Sequence, residues 1–158
     1  FKIAHVHQAS RYCREFDIPF SFNLLFGGPG ETKETVQESL NNIERIRPVA
    51  VGAMIGIRCY PHTQLWNIAC KEGLLSKDTN ILEPFYYVSP TIDTEWLIET
   101  IREYHEKHDN FLVPTSAKGI HTDDLVVEIF RQGFRGPFWE VAKELKKRIA
   151  ASTKETLN

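Results

Sequence analysis

Asn23, Arg58 and the run Gly27-Gly28-Pro29-Gly30-Glu31 are the residues whose types and spacing could do chemistry. Asn23 and Arg58 each interrupt an otherwise apolar stretch, FSFNLLF and AVGAMIGIR. An amide and a guanidinium in such settings must find hydrogen-bond partners, either in the protein or on a ligand. The glycines permit a sharp turn and a close approach of backbone to a ligand, because no Cβ stands in the way. Together these residues suit recognition of a small polar molecule at the end of a sheet. The structural alternative is that Arg58 pairs with a carboxylate or with strand-end carbonyls.

Other chemistries fit less well. A phosphate-binding P-loop needs Gly directly before Lys, and Thr32 precedes Lys33. A dinucleotide fingerprint needs a further glycine where Lys33 stands. His5 and His7 diverge on a helix, and His105 and His108 lack a third ligand nearby in sequence, so no metal site is expected. Cys13, Cys59 and Cys70 are scattered without metal or redox spacing, which suits a reducing cytoplasm. A net charge of −2 gives no field for nucleic acid, and no apolar run is long enough to span a bilayer. Lys146-Lys147-Arg148 reads as a solvated helix end.

The elements that must position the candidates follow from periodicity. A helix is predicted over Phe1–Phe16, ended by Pro19. Strand Phe20–Phe26 leads through the glycine turn to a helix capped by Thr32, with Val36, Leu40 and Ile43 on its buried stripe. Ala50–Arg58 is the second strand. Strand, helix and strand in this order make a βαβ unit with two parallel strands and tips on the same side. Helix Thr63–Glu72 ends at Gly73, Phe85–Val88 is extended, and Asp93 caps a helix to about His108. Asn110–Thr122 reads as irregular. Further helices are predicted over Asp123–Arg131 and from Pro137.

Alternation splits each strand into two faces. Phe20, Phe22, Leu24 and Phe26 face helices on one strand; Val51, Ala53, Ile55 and Ile57 do so on the other. Ser21, Asn23, Leu25 and Gly27, with Gly52, Met54, Gly56, Arg58 and Tyr60, form the opposite face, suited to a barrel interior. The aromatics Tyr60, Trp66, Phe85, Tyr86, Tyr87 and Trp96 read first as core or lid packing, and second as a wall over a cavity. Two parallel strands are too few for a stable sheet. The expected fold class is therefore α/β: the C-terminal slice of a partial (β/α) barrel over residues 1–90, followed by a mainly helical region over 91–158. Position 1 is Phe rather than Met and already lies in a predicted helix, so the expectation is a piece of a longer polypeptide.

FNLLFGGPGETKETVQESL and IGIRCYPHTQLWNIACKEGLL resemble the fifth and sixth barrel strands, with their turns, of radical S-adenosylmethionine enzymes of the Fe–S oxidoreductase type. NILEPFYYVSP and GFRGPFWEV resemble the C-terminal region of the same subgroup. Against the family motif G-x-I-x-G-x-x-E, Gly28 and Glu31 match the last two fixed positions. Leu24 and Phe26 replace the first two, and a variant register uses Leu25 and Gly27 instead. The resemblance implies that Asn23, Leu25, Gly27, Gly28, Ile57, Arg58 and Tyr60 line an adenosyl site. Pro29, Gly30 and Glu31 then shape the turn.

The resemblance also implies S-adenosylmethionine and a [4Fe–4S] cluster in the parent enzyme, with cobalamin where a cobalamin domain lies upstream. The family's C-x-x-x-C-x-x-C loop is absent from these residues, so the cluster ligands must come from elsewhere. The expectation is a non-catalytic portion of an oxidoreductase acting on an unknown small molecule, partnered by the rest of its polypeptide or self-associating. The alternative is a stand-alone α/β binding or scaffolding module, which should bury both strands in its own fold or in a dimer.

Overall fold

The computed structural model describes residues 2–76, 78–80, 82–112, 131, 133, 135–137 and 140. The first helix, α1 (Ile3–Glu15), stops where Asp17 turns left-handed at φ 52° and Ile18 N–H donates back to the Cys13 carbonyl. Strand β1 (Ser21–Phe26) follows. Helix α2 (Lys33–Ile46) starts at Thr32, whose hydroxyl accepts from Thr35 N–H while the Thr35 hydroxyl accepts from Thr32 N–H. This reciprocal cap satisfies two otherwise orphaned donors. The helix buries Val36, Leu40, Ile43 and Ile46, one apolar stripe, and closes at left-handed Arg47 before Pro48.

The strand predicted over Ala50–Arg58 is interrupted. Gly56 adopts φ 88°, which splits it into β2 (Ala50–Ile55) and β3 (Ile57–Arg58). Helix α3 (Gln64–Lys71) is capped by the Thr63 hydroxyl and followed by left-handed Gly73. The extended stretch expected at Phe85–Val88 contains β4 (Tyr86–Tyr87), which pairs antiparallel with β3 as Ile57↔Tyr87 and Arg58↔Tyr86. Asp93 caps α4 (Thr94–Lys107), its carboxylate accepting from Glu95 and Trp96 N–H.

The sheet order is β1-β2-β5, with β5 (Phe111–Leu112) parallel to β2. The Phe20 carbonyl accepts from Val49 and the Phe26 carbonyl from Gly56, so β1 and β2 advance together and are parallel. The expectation of two parallel strands is thus corrected to three. The third was hidden in the stretch predicted as irregular, because two residues carry no legible period. The helices predicted over Asp123–Arg131 and from Pro137 lie outside the described residues. Among the described residues, no helix is long and apolar enough to cross a membrane.

Two compact units interleave along the chain. One comprises Phe1–Phe22, Pro48–Gly52 and the described residues from His108 on. There Val51 and Phe111 are fully buried, and the Asn110 side-chain amide donates to the Pro48 carbonyl at 3.0 Å. The other comprises Asn23–Arg47 and Ala53–Lys107. It buries Phe26, Leu40, Ala53, Leu97 and Ile101, together with a cluster of Cys59, Trp66, Ala69 and Tyr87. Every candidate site residue belongs to this second unit.

Candidate functional site at the strand tips

Burial separates the two faces of the strands. Phe26 and Ala53 are 1% and 0% exposed, whereas Leu25 and Met54 are 53% and 44% exposed. The Gly56 N–H bond to the Phe26 carbonyl sets Phe26 beside Ile55, and alternation therefore sets Leu25 beside Met54. The side chains expected to face a barrel interior thus stand in the open, next to exposed Asn23. Ile57 is half-buried, and its Cδ1 lies 3.5 Å from where a Cβ on Gly28 would stand. The two tips therefore meet at the Gly28–Ile57 contact.

A circuit of hydrogen bonds holds the β1 tip. Gly27 N–H donates to the Glu31 carboxylate. The Thr91 hydroxyl donates to the Glu31 carbonyl at 3.3 Å and lies 2.8 Å from the Ser89 hydroxyl. Ser89 N–H then donates to the Gly27 carbonyl at 2.9 Å. Glu31 thus acts on the turn, as do Pro29 and left-handed Gly30, both exposed. Gly27 is buried at φ 90°, and the space of a missing Cβ is filled by Val88. At Gly56 the same space is filled by Tyr86 Cβ. Thr91 lies in no motif and Ser89 only in the NILEPFYYVSP segment; the fold alone brings them to the turn, Thr91 being 60 residues from Glu31.

Past the bend at Gly56, Arg58 is exposed and its guanidinium lies 5.1 Å from the centre of the Tyr60 ring. The interaction is cation–π in kind. No carboxylate among the described residues pairs with Arg58; the ion pairs Arg102–Glu99 and Lys107–Glu103 both lie on α4. Tyr86, which sequence reasoning placed in a core or lid, stands 44% exposed opposite Arg58.

The thiols are distributed differently. Cys13 lies half-buried on α1; Cys59 is buried and Cys70 half-buried, both in the Trp66–Tyr87 cluster. Burial pushes the Cys59 thiol up from its ordinary value. Among the described residues, no three His, Cys, Asp or Glu side chains converge to hold a metal ion. Shallow furrows run along α1 and α2, the latter lined by Glu34, Gln37, Glu38, Asn41, Asn42 and Arg45. No strand-tip residue lines either one.

No family model matches the chain, and no curated protein matches it. Among solved structures it is similar to the radical S-adenosylmethionine methyltransferase TsrM from Kitasatospora setae, solved with cobalamin and a [4Fe–4S] cluster bound. The TM-score is 0.64 and the identity 17%; the match covers 94% of this chain and 35% of that one. The chain therefore spans about a third of that enzyme's length. What the match shows is the fold: this α/β arrangement recurs within a larger protein.

Proposed function

We propose that this chain forms part of a radical S-adenosylmethionine oxidoreductase, supplying one side of its adenosyl and substrate cavity and no catalysis alone. The observation that carries the reading is the asymmetry of the strands. One face is sealed by the chain's own residues, and the other presents Leu25 and Met54 to solvent on neighbouring parallel strands. Burying a side chain of this size stabilises by roughly 1.5–3 kcal/mol, so the pair favours being covered. A stand-alone module should cover both faces with its own fold or in a dimer. The rest of a barrel, closing around a ligand, would cover this one. The likeness in fold to part of a much longer radical enzyme supports the same reading.

The residues suit a nucleoside. Leu25, Met54 and Ile57 offer apolar surface for a base, and exposed Asn23 offers an amide for its polar edge. Gly28 lets the backbone come close. The chemistry supplied by S-adenosylmethionine with a cluster is radical generation; the residues here bind and orient. The cluster itself does not fit this chain: Cys13 lies in one unit, Cys59 and Cys70 in the other, and none has the spacing of a cluster loop. Its ligands, and any cobalamin site, are assigned to the remainder of the polypeptide.

Titration of the ¹⁵N-labelled chain with S-adenosylhomocysteine tests the cavity. Saturable shifts should concentrate at Leu25, Gly28 and Ile57. Their absence, with shifts elsewhere or none, removes the adenosyl assignment. Anaerobic reconstitution with iron and sulfide should give no cluster absorbance with this chain alone; a stable band would overturn the division of labour.

A further inference from the structure

We propose that the exposed face of β3 and β4, made by Tyr60, Arg58 and Tyr86, is a subsite for a carboxylate carried on an apolar or aromatic body. The inference deepens the reading above and rests on it for the position of the cavity, but its own evidence is separate. Cys59 N–H donates to the Phe85 carbonyl, which makes Arg58 and Tyr86 the non-hydrogen-bonded cross-strand pair, the kind whose side chains stand closest. Tyr60 also neighbours Arg58, with the guanidinium 5.1 Å from its ring centre. Arg58 thus has two tyrosines as neighbours, one along the chain and one across the ribbon, 53% and 44% exposed.

Three features select the ligand. Arg58 has no acidic partner among the described residues, so its charge is available. A planar guanidinium presents paired N–H donors that match the two oxygens of a carboxylate. One cation matches one negative charge, and the neighbouring rings favour an apolar body over a hydrated dianion. Tyr87, paired across the ribbon with Ile57, is fully buried, so the face is held from behind by packed side chains. The carboxylate is either that of the substrate or the aminoacyl carboxylate of S-adenosylmethionine.

The test is an NMR titration of the ¹⁵N-labelled chain, with the backbone amides of residues 58–60 followed in every variant alongside the parent's Arg58 Nε–H resonance. Benzoate should shift it saturably, and the neutral isostere benzamide should not. Arg58→Gln should weaken benzoate by about tenfold or more, the loss of a charge-assisted pair. Tyr86→Ala, which keeps the Cβ that packs on Gly56, should weaken it about threefold to tenfold. Equal binding of benzamide, tighter binding of inorganic phosphate, or benzoate binding unaltered in Arg58→Gln overturns the proposal. Competition by S-adenosylhomocysteine identifies the cofactor as the source of the carboxylate, and simultaneous binding identifies a second molecule; both uphold the subsite. If S-adenosylhomocysteine leaves Leu25 and Gly28 unmoved while benzoate still shifts Arg58, the adenosyl reading fails and the carboxylate subsite stands.

Discussion

Gly27 gives its N–H to the carboxylate of Glu31, four residues ahead on the far side of the turn. The turn between β1 and α2 is therefore closed by a side chain rather than by backbone alone. Glu31→Ala should leave a buried donor unmatched and cost about 1.5–3 kcal/mol. Glu31→Gln, which retains a carbonyl acceptor, should recover part of that loss. Chemical denaturation of the two variants checks the order.

The glycines divide by what surrounds them. Gly30 has φ 77° with nothing within 4 Å, so Gly30→Ala should cost only backbone strain, about 1–2 kcal/mol. At Gly56 a new Cβ would meet Tyr86 Cβ at 3.1 Å, close to a backbone that cannot yield cheaply. Gly56→Ala should therefore cost about 2–4 kcal/mol, strain plus overpacking. Gly27→Ala meets the two Val88 methyls at 3.2 and 3.4 Å and should fall between. Thermal melts of the three variants test this ranking; equal losses would mean that the surroundings are immaterial.

Burial, then the charge of Glu44 and a hydrogen bond to it, push the Tyr104 phenol up to about 12 from 10.0. The unfolded chain thus releases this proton before the folded one does. Above pH 10 the folded state holds more protons, so stability falls as pH rises towards 12 and is unaffected by this group below 10. Tyr104→Phe should flatten that slope. Tyr87, also raised by burial, should leave a residual slope of the same sign. Denaturant melts between pH 9 and 12, on the order of this window, supply the measurement.

Leu40 and Leu25 are the same residue type in opposite settings, 2% and 53% exposed. Leu40→Ala should cost about 2–5 kcal/mol. Leu25→Ala should change stability by less than about 0.5 kcal/mol yet weaken nucleoside binding. A large stability loss at Leu25 would show that its face is already covered.

Much of this was legible in the sequence where local rules apply. Thr32, Thr63 and Asp93 are caps because their short oxygens reach the first-turn N–H groups, and each starts a helix as expected. The buried stripe of α2 and the two faces of β1 follow from period alone. The pairing of Tyr86 with Arg58 and the addition of β5 to β2 were not legible. Both depend on two-residue strands joined across long sequence separations, where no period can form. Gly56 falls on the face expected to suit a barrel interior, but its positive φ bends the chain and releases β3 from the parallel sheet.

The sealed position of Cys59 has a practical consequence. Its thiol is shielded from alkylating reagents unless α3 parts from the β3–β4 ribbon, whereas Cys13 and Cys70 lie nearer the surface. Labelling kinetics at that one sulfur therefore clock how often this corner breathes, and a bound molecule that stills the ribbon would slow the clock.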